Sequence, residues 1–246
     1  MDQQTADDYL HRIGATRAST LAELQERHLA AVPFENLSIH LGEPIVLDED
    51  ALVDKIVRRR RGGFCYEVNI AFGALLRALG HEVDLLGAKV FGGDGGLSPL
   101  FDHMALRVDE FLVDVGFGRF TRHPLRLADR AEQHDPEGTF RIVETADGDL
   151  DVLTGGAPTY RLERRPRTVR DFVPTCWYQQ TSPDAHFTRN LVCTVRTDAG
   201  RITLSGNDLI VTAAGGRTET TLPDDELLAA YRKHFGIELD RVPRLR

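Results

Sequence analysis

Cysteine is scarce in this sequence and widely spaced: among 246 residues there are three, Cys65, Cys176 and Cys193. An odd count without a CxxC pair excludes a disulfide framework and suits a reducing compartment. No stretch approaches the roughly 20 consecutive apolar residues of a membrane-spanning helix, and no basic start leads into a short apolar run of the signal-peptide kind. The expectation is a soluble, cytoplasmic protein with no membrane partner. Metal and nucleotide signatures are also missing. There is no HExxH and no paired Cys and His spacing, so no metal is expected. The cluster Gly92-Gly93-Asp94-Gly95-Gly96 lacks both the Lys-Ser/Thr of a P-loop and GxGxxG spacing, and reads as a loop tip. A net charge of −8 argues against a nucleic-acid partner, although Arg58 to Arg61 form a local basic run. At a helix end, such arginines complement the negative end of the dipole.

What is present is a chain long enough to bury a full core, as one large domain or two to three small ones. Residues 1–80 read as a helical bundle. A short helix lies near 7–13, and Thr20 with Glu23 forms a capping box that opens a second, closed by Pro33. Asp48 can cap a third, carrying Leu52, Val53, Ile56 and Val57. After Gly80 the hydrophobic period changes from 3.6 to 2. Strands are expected at 81–91, 103–108, 111–115, 140–145 and 159–163, then a helix at 171–180 with Pro174 in its first turn. Four short strands between 191 and 222 and a last helix over 224–235 make the tail a small α/β unit. The expected division is 1–80, 81–185 and 186–246.

The chain is organised around Arg61-Gly62-Gly63-Phe64-Cys65-Tyr66-Glu67-Val68-Asn69. From Val68, apolar residues recur at Phe72, Leu75, Leu76 and Leu79, so Cys65 falls at a helix N-terminus. Unpaired N–H groups and the helix dipole there make thiolate more accessible than in a free cysteine. Gly62 and Gly63 allow a sharp turn and close approach of a substrate. The alternative is a buried, inert cysteine beside an ordinary loop. Glu35 either pairs with Arg61 to anchor this loop or lies in solvent with it.

A base for that thiol comes from a hairpin with Asp109-Glu110 at its turn. If Val108 pairs with Phe111, His103 and Asp114 become diagonal neighbours on one face, within reach of a carboxylate–imidazole bond. A one-residue slip in register would separate them. Asp102 adjoins His103 but points to the other side of the strand, so Asp114 is the better partner. Cys65, His103 and Asp114 thus read as nucleophile, base and orienting acid.

Four stretches carry a resemblance that spans essentially the whole chain. They are Pro33-Phe34-Glu35-Asn36-Leu37, the run from Arg60 to Asn69, Val113-Asp114-Val115-Gly116-Phe117-Gly118, and the run from Ser182 to Val192 that contains His186-Phe187-Thr188. With these motifs in this order the chain resembles the arylamine N-acetyltransferases. The resemblance implies an α+β fold: an N-terminal helical bundle, a central β-barrel and a C-terminal α/β lid, in the manner of transglutaminase-like cysteine enzymes. It implies acetyl-CoA-dependent N-acetylation of aromatic amines and hydrazines by a ping-pong route, with Cys65 as acetyl acceptor, His103 as base and Asp114 orienting it. It also implies that Phe34, Phe117 and Phe187 line the acyl and amine pocket. Residues 103–114 and 148–159 are shorter than the family pattern, which reshapes the pocket rim. Related sequences include macrolactam-forming amide synthases, and transglutaminase-like cysteine hydrolases share the residue order.

Overall fold

The computed structural model describes residues 1–245. Its first third is helical because apolar residues recur with helical period and capping side chains stand where the ends need them. α1 (Gln3–Ile13) begins well before the expected Asp7, since Asp2 accepts from the Thr5 N–H and buries Ala6, Tyr9, Leu10 and Ile13 on one side. α2 (Leu21–Ala31) has the Thr20–Glu23 capping box. Two further elements have no counterpart in the sequence reading. β1 (Phe34–Glu35) and α3 (Leu37–Leu41) occupy what reads as a connector. α4 (Glu49–Val57) starts on Asp48 as expected. α5 (Cys65–Ala78) is the buried centre of this layer, covered at every residue from Cys65 to Leu76. A helix covered on all sides belongs inside a core, and this one packs against α1, α4 and the middle sheet.

The middle of the chain forms one antiparallel sheet. Its strands are β2 (Val83–Val90), β3 (His103–Val108), β4 (Phe111–Val113), β5 (Leu125–Arg126), β6 (Gln133–Asp135), β7 (Gly138–Glu144), β8 (Leu150–Thr154) and β9 (Ala157–Arg167). In space they run β5-β4-β3-β2-β9-β8-β7-β6 and curl into a nearly closed barrel around Leu86, Leu112, Phe140, Val152 and Tyr160. The Gln133 side chain bridges the two edges, its Oε1 accepting from Arg126 N at 2.8 Å and its Nε2 donating to Arg126 O at 3.0 Å. The β3–β4 register is the expected one, with Val108 opposite Phe111 and Leu106 opposite Val113. β9 is longer than the sequence reading because bulges accommodate a strand that carries Pro158 and Pro166.

α6 (Val169–Thr181) begins two residues before the expected start at 171, with Thr168 as its N-cap and Asp171 completing a capping box. Pro174 therefore lies inside the helix rather than in its first turn. α7 (His186–Arg189) follows. The tail is a meander of β10 (Val192–Thr197), β11 (Gly200–Ser205), β12 (Asp208–Ala213) and β13 (Gly216–Thr221). Its free edge is taken by β1, with Phe34 opposite Thr194 and Glu35 opposite Cys193. A last helical segment, α8 (Leu227–Ala230) with a 3-10 turn before it and a π turn after it, covers the sheet with Leu227, Tyr231 and Phe235. The class is α+β, and no helix among the described residues is long and apolar enough to cross a membrane.

A buried charge cluster holds the loop that leads into α5. Arg61 meets Glu35 Oε1 through Nε at 3.0 Å and Nη2 at 2.9 Å, so the pair is formed and both residues are inside. Lys55 Nζ lies 2.6 Å from Glu67 Oε1 and 3.9 Å from Glu35 Oε1, and Leu37 N donates to Glu35 Oε2 at 2.6 Å. Burial alone would raise the Glu35 carboxyl, but Arg61 and Lys55 outweigh it and hold it below its ordinary value. Glu67 goes the other way: burial pushes it up and Lys55 offsets only part. Breaking one partner of a buried pair leaves an uncompensated charge, so Arg61→Met should lower unfolding stability in urea by about 3–5 kcal/mol. Adding Glu35→Gln to that variant should recover part of the loss. A midpoint unchanged by Arg61→Met would remove the cluster from this role.

Candidate active site

Cys65 is the first residue of α5, with Phe64 as the N-cap, and is only 3% exposed. Gly62 and Gly63 are required by the protein's own packing rather than by a substrate. A Cβ at Gly62 would stand 1.8 Å from the Pro33 carbonyl oxygen, and one at Gly63 would stand 2.7 Å from Glu67 Oε2. The glycines thus let β1 and the cysteine loop lie side by side, where Glu35 N donates to Gly63 O at 3.0 Å.

The hairpin delivers His103 and Asp114 together. His103 Nε2 and Asp114 Oδ2 are 2.7 Å apart, and both residues are buried. An ionised carboxylate only accepts, so Nε2 carries the proton and Nδ1 is the free acceptor of the ring. Nδ1 has no protein hydrogen bond among the described residues and is not sealed from the cavity that His103 lines. Asp114 lies just past the end of β4, and its other oxygen, Oδ1, accepts from Gly116 N at 2.8 Å and Asn69 Nδ2 at 3.1 Å. Tyr160 lies against the same carboxylate without a well-formed hydrogen bond; burial, then the Asp114 charge, push its phenol well up.

Asn69 is the residue that sequence reasoning did not single out. Its Nδ2 also donates to Met104 O at 2.7 Å, and its Oδ1 accepts from Val115 N at 3.1 Å. One amide therefore ties α5 to both strands of the hairpin. The available signal is its place one helical turn after Cys65, on the same side of α5. Gly116 completes the join, since a Cβ there would lie 2.7 Å from Cys65 Cα and 2.6 Å from Asn69 Nδ2.

Cys65 and His103 open on one cavity of about 740 Å³ whose walls include Phe34, Phe117 and Phe187. Phe117 meets His103 edge-on at 5.1 Å between ring centroids, and Phe187 lies 6.0 Å from Phe34. Asp102 reaches the cavity too, but its carboxylate is taken by Gln179 Nε2 rather than by His103. Among the described residues no group of three or more His, Cys, Asp or Glu side chains is placed to hold a metal.

The expected lowering of the Cys65 thiol is reversed in this geometry. Burial pushes it well above its ordinary value, and the Asp102 and Asp114 charges add to that, while a hydrogen bond from the Met104 backbone pulls the other way. Desolvation outweighs one helix end. The one hydrogen bond of the Cys65 sulfur among the described residues is a long one to Asp102 O, at 3.9 Å.

The N-acetyltransferase family model matches residues 18–244. The arylamine N-acetyltransferase of Mycolicibacterium smegmatis is 36% identical over 253 residues, covering 94% of this chain and 91% of that protein. The chain belongs to the arylamine N-acetyltransferase family. The solved M. smegmatis enzyme superposes with a TM-score of 0.86 at 33% identity, covering 97% of this chain and 93% of that one. The Mycobacterium marinum enzyme solved in complex with CoA gives a TM-score of 0.83 at 32% identity, covering 94% and 92%. β3 and β4 connect through Asp109-Glu110 alone.

With His103→Gln, the buried thiol loses its proton acceptor, and burial with the Asp102 and Asp114 charges stands against only the Met104 backbone hydrogen bond. A raised value means less thiolate at any given pH, so alkylation of Cys65 by iodoacetamide at pH 7 should slow by about 100-fold or more. Its pH midpoint should also move upward, as followed by peptide mass mapping. An unchanged midpoint would show that the imidazole does not set the state of the sulfur.

Proposed function

We propose that the protein transfers acetyl groups from acetyl-CoA to aromatic amines and hydrazines in two half-reactions through acetyl-Cys65. The observation that carries this reading is the buried 2.7 Å contact between His103 and Asp114, with His103 and Cys65 lining one cavity. In the first half-reaction Cys65 gives its proton to His103 Nδ1 and attacks the thioester carbonyl. A new C–S bond forms, the bond to coenzyme A breaks, and the departing sulfur takes the proton from His103. Asp114 keeps the ring in the tautomer that accepts at Nδ1 and stabilises the imidazolium. The N–H groups of the first turn of α5 have no carbonyl partner within the helix and are the donors assigned to the oxyanion.

In the second half-reaction a neutral amine attacks the acetyl-cysteine. A C–N bond forms, the C–S bond to Cys65 breaks, and the amine's proton passes through His103 to the sulfur. The phenylalanine walls suit a flat ring and limit water, which would otherwise hydrolyse the thioester. A cytoplasmic setting belongs to the same reading, supported by three unpaired cysteines, and the net charge of −8 gives no general attraction to nucleic acid.

Intact-mass spectrometry after mixing with acetyl-CoA alone should show one acetyl group, mapped to Cys65, that persists until aniline or phenylhydrazine discharges it. Cys65→Ser should lose nearly all turnover, because a hydroxyl is far less ionised than a thiol. Release of acetate to water as fast as transfer to amine would instead identify a hydrolase, and amide formation without acetyl-Cys65 would rule out the covalent route.

A further inference from the structure

Asp102 stands just before β3, half-buried, on the cavity that Cys65 and His103 line. Its carbonyl oxygen accepts the long hydrogen bond from Cys65 Sγ at 3.9 Å and a second from the Tyr66 hydroxyl at 3.1 Å. Within one residue the carboxyl carbon lies about 3–5 Å from the carbonyl oxygen, so this carboxylate stands within about 9 Å of the sulfur. Asp114, the other carboxylate nearby, is sealed, and both its oxygens are taken by His103, Gly116 and Asn69. Asp102 has one side-chain donor among the described residues, Gln179 Nε2 from α6, which bonds Oδ1. A carboxylate only accepts, so the amide must turn Nε2 toward it. That leaves Gln179 Oε1 buried without a donor among the described residues, in a side chain that lines the cavity. The wall beside the sulfur therefore offers lone pairs, on Asp102 Oδ2 and Gln179 Oε1. Its donors, the Tyr66 hydroxyl and Gln179 Nε2, are already engaged.

We propose that Asp102 determines the charge of the acyl group that Cys65 accepts, admitting uncharged acyls and excluding those that carry a carboxylate, such as malonyl. The proposal rests on the acyl-transfer reading above and adds the charge class of the donor. The bonds made and broken are those of the first half-reaction, with only the acyl substituent changed. A malonyl group on the sulfur has its carboxylate carbon about 4 Å from Sγ, too short an arm to leave the neighbourhood of Asp102. Two like charges about 6–8 Å apart, at an effective dielectric constant of about 20, repel enough to slow a reaction by roughly 30- to 100-fold. An acyl chain ending in a methyl group meets no such opposition. Positive charge does reach the cavity, from Arg119 after β4 and from Arg201 on β11, and Asp94 and His186 line it as well. The strongest charge effects on the Cys65 thiol nevertheless come from Asp102 and Asp114, both negative. A carboxylate placed at the sulfur is repelled there and finds no free donor on the adjacent wall.

The test times acylation of Cys65 by intact mass with malonyl-CoA and with isovaleryl-CoA, whose acyl group has the same heavy-atom count and branching but no charge. In the parent protein malonyl transfer should be slower by about 10-fold or more. Asp102→Asn keeps an oxygen for Gln179 Nε2 and removes the charge, so the ratio of the two rates should come to within about threefold of unity. Any change in the thiolate fraction moves both rates alike and cancels in that ratio. A second measurement needs no variant. Iodoacetate should alkylate Cys65 of the parent protein more slowly, relative to uncharged iodoacetamide, than it alkylates 2-mercaptoethanol, again by about 10-fold or more. Malonyl transfer as fast as isovaleryl transfer, a ratio that Asp102→Asn leaves in place, or an iodoacetate preference equal to that of 2-mercaptoethanol would overturn the proposal. If neither donor acylates Cys65, the underlying acyl-transfer reading falls instead, and the alkylation comparison still decides whether Asp102 repels anions at the sulfur.

Discussion

A buried carboxylate must be given donors, and Asp114 collects its donors from three separate parts of the chain. His103 comes from β3, Asn69 from α5, and the Gly116 N–H from the turn after β4. Each bond serves the carboxylate and also fixes where two pieces of backbone meet. The helical layer and the barrel are held in register at this point, where Cys65 and His103 line one cavity. Stability and chemistry therefore draw on the same contacts. Asn69 is central to this join, because its amide bonds Asp114, Met104 and Val115 and so sets where Asp114 sits.

The chain places two charged systems inside itself and treats them differently. Around Glu35, Arg61, Lys55 and Glu67 the charges are paired within the protein, and the result is a fixed loop. Around Cys65 they are left incomplete: burial opposes the thiolate, and His103 Nδ1 has no protein partner among the described residues. An incomplete buried system is a place for exchange, because a proton moved from sulfur to imidazole creates an ion pair where each ion alone would be unfavourable. The first cluster gives the second its position, since Gly62 and Gly63 follow Arg61 directly and lie flush against Pro33 and Glu67.

Much of this was legible because it rests on local rules. The Thr20–Glu23 box and the Asp48 cap announce their helices, and the Asp109-Glu110 turn sets the register that brings His103 and Asp114 together. The other features depend on what lies across space. β1 is two residues long, too short for alternation to show, and exists because β10 offers it an edge. Proline in β9 masks a strand that bulges make possible. The glycines before Cys65 read as room for a ligand, but the space is filled by the protein itself. The thiol reads as acidified by a helix end, but burial, which no local pattern reports, has the larger effect. Phe34, Phe117 and Phe187 read by pattern like any core phenylalanines; the family resemblance assigns them to a pocket, and the folded chain puts them on one cavity.

Whether Cys65 and His103 share one proton can be read from the nitrogen-15 resonances of the His103 ring, assigned by comparison with His103→Gln, in the parent protein and in Cys65→Ala. Nε2 should carry its proton throughout, held by Asp114, while the pH response of Nδ1 should change when the sulfur is removed. An Nδ1 response identical in both proteins, or a proton resident on Nδ1 with Nε2 bare, would contradict the account.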